Sequence, residues 1–192
     1  MSEINNVLVT GVGGQGILLA TDVLADVFLK AGFDAKKSEV HGMAQRGGSV
    51  ESHVRRSARR VDSPLIPEGC VDVLLAFEPL EALRYVHLTH PRAWVIYDPR
   101  PIPPLSVSLG QSAYPTQIEQ SLKRFTNQIL PVSASDIANA LGNPRVSNVA
   151  LLGALQRLMG IDEEIWLAVI RERVPAKAIE VNLAAFKQGQ KA

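Results

Sequence analysis

An α/β fold with a Rossmann-like, mostly parallel sheet, flanking helices and a helical C-terminal third is what this sequence predicts, on three observations. The apolar run Val7-Leu8-Val9-Thr10 enters Gly11-Val12-Gly13-Gly14-Gln15-Gly16 and passes directly into Ile17-Leu18-Leu19-Ala20. That order is a buried strand, a glycine turn and a helix start. A second such unit follows, with Val71-Asp72-Val73-Leu74-Leu75-Ala76-Phe77 leading to Pro79. Continuous apolarity over that length suits a parallel strand covered on both faces. Beyond residue 135 the apolar spacing is helical throughout.

Each element has its own justification. Leu18, Leu19, Val23, Leu24, Val27 and Phe28 recur at helical spacing and predict a helix over 17–31, with Gly32 as its C-terminal cap. Residues 34–40 suit a second strand and 42–48 a loop with three glycines. From Ser49, the alternation of Val50, Ser52 and Val54 with Glu51, His53 and Arg55 predicts a half-exposed strand. Residues 55–60 then read as a charged hairpin turn, with a return strand from Val61. Pro79 takes the first-turn position that proline tolerates and opens a short helix. Residues 93–97 form another buried strand, and the proline run 99–104 is an extended connector because proline fixes φ and removes donors. A short irregular strand over 107–114, a helix over 116–125 and a last strand over 129–132 follow. Three helices, 144–159, 163–174 and 175–187, are separated by Gly160 and Pro175.

Bulk properties narrow the function. At 192 residues and 46% hydrophobic content the chain suits a single domain, 1–192, with a full core. Twenty basic and nineteen acidic residues with no block of like charge argue against a nucleic-acid partner held through phosphates. The one cysteine, Cys70, cannot form an internal disulfide or supply an iron–sulfur cluster, so any such cluster belongs to another chain. No basic segment followed by an apolar one begins the sequence and no spanning run occurs, so the expectation is a cytoplasmic protein without a membrane.

The glycine loop suits a phosphate, since its residues bring backbone N–H groups and a helix N-terminus close to a ligand. No lysine follows Gly16, which excludes a Walker A loop. NAD needs an acidic residue at the end of the second strand; Asp34 and Glu39 both stand near that spacing. Glu39 runs instead into Val40-His41-Gly42-Met43-Ala44-Gln45-Arg46-Gly47-Gly48-Ser49, which weakens the NAD reading. In that stretch Arg46 offers a planar fork for phosphate or carboxylate. The same segment also reads as a subunit contact through His41, Gly42, Met43, Gln45, Gly47 and Gly48. His41 suits either an acid–base group or a structural histidine. His87 and His90 lack a third ligand nearby, so no metal site is expected. Glu78 and Asp98 end their strands at the edge where open α/β sheets bind ligands, and either can equally cap a helix. No GxSxG elbow or Cys–His signature supports hydrolase chemistry.

Three segments together, residues 9–17, residues 37–50 and Ser63-Pro64-Leu65-Ile66-Pro67, resemble the gamma-type domain of 2-oxoacid:ferredoxin oxidoreductases. Ala76-Phe77-Glu78-Pro79-Leu80-Glu81-Ala82-Leu83-Arg84 and Gly142-Asn143-Pro144 are similar to the indolepyruvate branch of that family, in its beta-subunit form. The resemblance covers almost the whole chain. It implies a non-cluster subunit, inactive alone, of a complex that converts indolepyruvate or another aryl pyruvate and coenzyme A to acyl-CoA, carbon dioxide and reduced ferredoxin. Thiamine diphosphate and the iron–sulfur clusters would reside on the partner alpha subunit. Coenzyme A is the possible ligand of this chain, with Gly11, Gly13, Gly14, Gln15, Gly16 and Arg46 as candidate contacts. Two other readings stay open: a structural interaction subunit that binds no ligand, and a free-standing nucleotide-dependent oxidoreductase.

Overall fold

Because side chains alternate across a strand, a run of apolar residues must find cover on both sides of the sheet. The computed structural model describes residues 4–41 and 48–192, the side chain of His41 excepted. β1 (Asn6–Val12) is buried from Val7 onward and leads through the glycine loop into α1 (Ile17–Lys30). Gly32, at φ 87°, follows the end of this helix and donates its N–H to Leu29. β2 (Asp34–His41) and β3 (Ser49–Ser57) come next, then β4 (Val71–Ala76) and α2 (Pro79–Tyr85). β5 (Thr89–Tyr97), α3 (Leu105–Ser108), α4 (Ile118–Leu122) and β6 (Gln128–Pro131) complete the sheet region. The rest is helical: α5 (Ala134–Ala140), α6 (Ser147–Met159), α7 (Glu163–Arg173) and α8 (Ile179–Gly189).

The sheet order is β2-β3-β1-β4-β5-β6. β1, β4, β5 and β6 are parallel neighbours, whereas β3 is antiparallel to both β1 and β2, so it alone runs against the other strands. Val7, Val9, Val73, Leu75 and Ile96 face a core shared with α1 and α5 to α8, in which Phe28, Leu152, Trp166 and Phe186 are buried. Leu8, Leu74, Val95 and Tyr97 face the smaller core, closed by Ala82 of α2 and Ile118 and Leu122 of α4. The chain leaves β1 toward one face and β4 toward the other. The topological switch point, where open α/β sheets bind ligands, therefore lies between β1 and β4.

Several local expectations are corrected. β3 is an interior strand rather than a half-exposed one, and it continues through Arg56 instead of turning. Consecutive arginines serve opposite faces. Arg56 is buried, with its guanidinium 4.2 Å from the ring centre of Phe33 and 5.2 Å from that of Phe28. On the other side Arg55 donates to Asn6 Oδ1 at 2.9 Å and to the carbonyls of Ser63 and Leu65 at 2.9 and 3.1 Å. No return strand forms at Val61, because both edges of β3 are already paired with β1 and β2. Residues 107–114 form no strand, and four residues from Leu105 make the short helix α3. The helix expected over 116–125 is limited to Ile118–Leu122.

Candidate functional site

The glycine loop is organised by its own glutamine. Gln15 Oε1 accepts the Val12 N–H at 2.7 Å, and its Nε2 donates to the Phe77 carbonyl at 2.7 Å. One side-chain amide thus bridges the ends of β1 and β4. Gly11 makes room for it, since a Cβ there would lie 2.8 Å from Gln15 Oε1 and 2.9 Å from Phe77 Cβ. The Gly13 N–H is donated to the Gly48 carbonyl at 2.9 Å. The N–H groups of Gly14 and Gly16 have no acceptor among the described residues. Gly16, at φ 78°, precedes α1, which has neither a side-chain cap nor an acidic residue in its first turn. That leaves the positive end of the helix dipole open.

Beside this loop is a cleft of about 620 Å³ on the α1 and α6 side of the sheet edge. Gly14, Gln15 and Gly16 line one wall, residues 100–103 of the proline connector a second, and Arg145, Ser147 and Asn148 a third. Sequence reasoning singled out the glycine loop, the proline run and Gly142-Asn143-Pro144 separately. It missed Arg100, Arg145 and Asn148, whose only signal was adjacency to those segments.

Both carboxylates at the strand ends are structural. Glu78 is buried and caps α2, its Oε2 accepting the Glu81 N–H at 3.0 Å. Its Oε1 accepts from the Ile102 N–H at 3.0 Å and from the Tyr114 hydroxyl at 2.5 Å, which fastens the proline connector to the sheet edge. Burial, and then the hydrogen bond to Glu78, push the Tyr114 hydroxyl well above its ordinary pKa. Asp98 accepts from Ser135 N–H at 2.8 Å, Ser135 Oγ at 2.5 Å and Arg100 N–H at 3.1 Å. Burial raises its pKa, and these hydrogen bonds oppose the rise.

A second cleft, of about 440 Å³, lies across the connector on the α2 side and includes Ser49, Glu81, Arg84 and Leu105. There Ser49 Oγ donates to Glu81 and lies 3.1 Å from the Tyr85 hydroxyl. Of the residues singled out in the 38–49 stretch, Gly48 supplies the carbonyl that holds Gly13, and His41 ends β2. Gly42, Met43, Gln45, Arg46 and Gly47 lie outside the described residues. His90 Nδ1 accepts the Arg92 N–H at 3.1 Å, so its Nε2 carries a proton toward Asp72, 3.2 Å away. Among the described residues no group of three His, Cys, Asp or Glu could hold a metal ion, and no helix is long and apolar enough to cross a membrane.

Comparison with known proteins adds a lineage to this geometry. The family model described as pyruvate ferredoxin/flavodoxin oxidoreductase matches residues 6–192. The chain is 43% identical to the indolepyruvate oxidoreductase subunit IorB of Thermococcus kodakarensis, over 97% of this chain and 95% of that one. It is 42% identical to the subunit of the same name from Archaeoglobus fulgidus, over 96% and 92%. Among solved structures it resembles the gamma subunit of a keto/oxoacid ferredoxin oxidoreductase from Geobacter sulfurreducens, with a TM-score of 0.72, 25% identity and coverage of 97% and 96%. The fold also matches 31% of a longer chain, 2-oxoglutarate:ferredoxin oxidoreductase from Magnetococcus marinus, with a TM-score of 0.78 and 22% identity over all of this chain.

Proposed function

The chain belongs to the pyruvate ferredoxin/flavodoxin oxidoreductase family, and from that premise we propose that it is the non-cluster subunit of an indolepyruvate-type 2-oxoacid:ferredoxin oxidoreductase. The observation that carries this reading is the 43% identity to an indolepyruvate oxidoreductase subunit over 97% of the chain. The complex oxidatively decarboxylates indolepyruvate or a related aryl pyruvate and transfers the acyl group to coenzyme A, and the electrons go to ferredoxin. The thiamine diphosphate and iron–sulfur clusters are carried by an alpha subunit, in keeping with the single cysteine of this chain. The complex works in the cytoplasm, where coenzyme A and ferredoxin are found.

This chain's part is to present one wall of the coenzyme A site to the thiamine subunit. The glycine loop, with its open Gly14 and Gly16 N–H groups, supports that role. Gly11 shapes the loop from beneath, and Arg46 is the candidate fork from the neighbouring segment. His41, Gly42, Met43, Gln45, Gly47 and Gly48 belong to the face that meets the partner. The alternative of a purely structural subunit draws on one observation, that the Gly13 N–H and both polar atoms of Gln15 are spent within the chain.

The test is reconstitution. Purified alone, the chain should reduce no ferredoxin when given indolepyruvate, coenzyme A and thiamine diphosphate; co-expressed with an alpha subunit, it should support reduction that depends on coenzyme A. Ferredoxin reduction by the isolated polypeptide, or tight binding of NAD(P) without coenzyme A, would sink the proposal.

A further inference from the structure

Gln15 decides where a phosphate-bearing ligand has room. In dinucleotide-binding folds the diphosphate lies in the crevice above the two strands that diverge at the switch point. Here that crevice is filled from within, because the Gln15 amide bridges Val12 and Phe77 over the space that Gly11 leaves. The room lies instead in the cleft of about 620 Å³ between α1, α6 and the proline connector.

The electrostatics of this cleft are one-sided. Arg100 and Arg145 line it, and no acidic side chain among the described residues does. Both arginines are exposed, and neither makes an ion pair among the described residues. Their backbones, by contrast, are fixed. The Arg100 N–H is held by Asp98 at 3.1 Å, and two residues on the Ile102 N–H is held by Glu78 at 3.0 Å. The Arg145 N–H is held by Asn143 Oδ1 at 3.2 Å. Two planar cations on anchored backbone, without an ion-pair partner among the described residues, suit an anion rather than each other. Leu19, Pro101 and Ile102 line the same cleft, and such apolar lining suits an uncharged chain running on from that anion.

We propose that Arg100 and Arg145 form a two-point clamp for the phosphates of the acyl-accepting thiol, set to the α1 and α6 side of the crevice that Gln15 closes. This rests on the reading that the complex uses coenzyme A. Each arginine supplies charge-assisted hydrogen bonds to a phosphate group, and together they should favour phosphorylated over unphosphorylated thiols.

The experiment compares coenzyme A with pantetheine, which has the same thiol arm and no phosphate, in the complex reconstituted with the alpha subunit. Arg100→Ala and Arg145→Ala should each raise the KM for coenzyme A by about tenfold or more. The KM for pantetheine and for the 2-oxoacid should stay within about twofold, so that the advantage of coenzyme A over pantetheine collapses. An unchanged KM for coenzyme A, or an equal rise for both thiols, overturns the clamp. Loss of subunit assembly on size exclusion for either variant assigns that arginine to the interface and overturns it as well. Failure of the underlying reading looks different: the wild-type complex would then reduce ferredoxin with no thiol added.

Discussion

Asn148, in the first turn of α6, donates its side-chain amide to the Gly16 carbonyl at 3.1 Å and so closes 132 residues of chain. Its Oδ1 accepts the Val149 N–H at 2.8 Å, which leaves the side chain no freedom to swing away. The contact makes the N-termini of α1 and α6 converge on one cleft.

Gly16→Ala should therefore carry two penalties. A Cβ at this position would run into Asn148 Nδ2, and the φ of 78° costs a residue with a side chain about 1–2 kcal/mol. In the double variant Gly16→Ala with Asn148→Ala only the backbone penalty persists, so the two effects should be less than additive. Urea denaturation of the four proteins in this cycle measures the coupling; strict additivity would mean that the contact is not formed.

Gln15→Glu should weaken the loop through a single atom. The introduced carboxylate still accepts the Val12 N–H, but it faces the Phe77 carbonyl with an acceptor where Gln15 has a donor. A loss of about 1–3 kcal/mol is expected at neutral pH. Facing the Phe77 carbonyl, the protonated form of the introduced group can donate where the carboxylate cannot, so protonation should be favoured in the folded state. The deficit against wild type should shrink as pH falls through the folded pKa, and denaturant midpoints at two pH values would show it. A deficit independent of pH would rule out the donor–acceptor explanation.

His53 offers a pH dependence of the opposite sign. Burial lowers its pKa from 6.5, while the nearby Glu51 partly opposes the shift. Its Nδ1 accepts the Ile66 N–H at 3.2 Å, a bond that needs the unprotonated nitrogen. The unfolded chain binds this proton more readily, so stability is present above the unfolded pKa and lost as pH falls below it. His53→Asn keeps an acceptor near Ile66 without titrating, and wild type should lose more in Tm than this variant between pH about 7.5 and about 5.5. Parallel Tm curves for the two proteins would contradict this.

Leu105 and Leu109, four positions apart, are 73% and 61% exposed on the segment that Glu78 fastens through Ile102 and Tyr114. Leu105→Ser with Leu109→Ser should leave the stability of the chain alone within about 0.5 kcal/mol per site. Affinity for the alpha subunit should drop by about tenfold or more if this segment is part of the contact. Hydrogen exchange with and without the partner should also show protection over 99–104 and in 42–49. Unchanged affinity and unchanged exchange would remove the connector from the interface.

Much of the fold was legible because its signals are local. The strand, glycine turn and helix at 7–31, the Gly32 stop and the Pro79 helix start each depend on chemistry within a few neighbouring residues. The last three helices were legible from apolar spacing, with Gly160 and Pro175 marking the breaks between them. β3 was misread for a physical reason. His53 and Arg56 look like exposed positions, but they are buried because partners arrive from elsewhere, Arg56 against Phe28 and Phe33 and His53 beside Ile66.

By itself, then, the sequence determined the class of fold, the position of the glycine loop at the end of β1 and, through its motifs, the family. Tertiary structure alone decided that β3 separates β2 from β1, that Gln15 fills the crevice above β1 and β4, and that Arg100 and Arg145 face one cleft. The division follows from the range of the forces. Turn chemistry and hydrophobic period act over a few residues, whereas a cleft walled by segments near residues 15, 100 and 145 exists only once the sheet order and the α1 to α6 packing have brought them together.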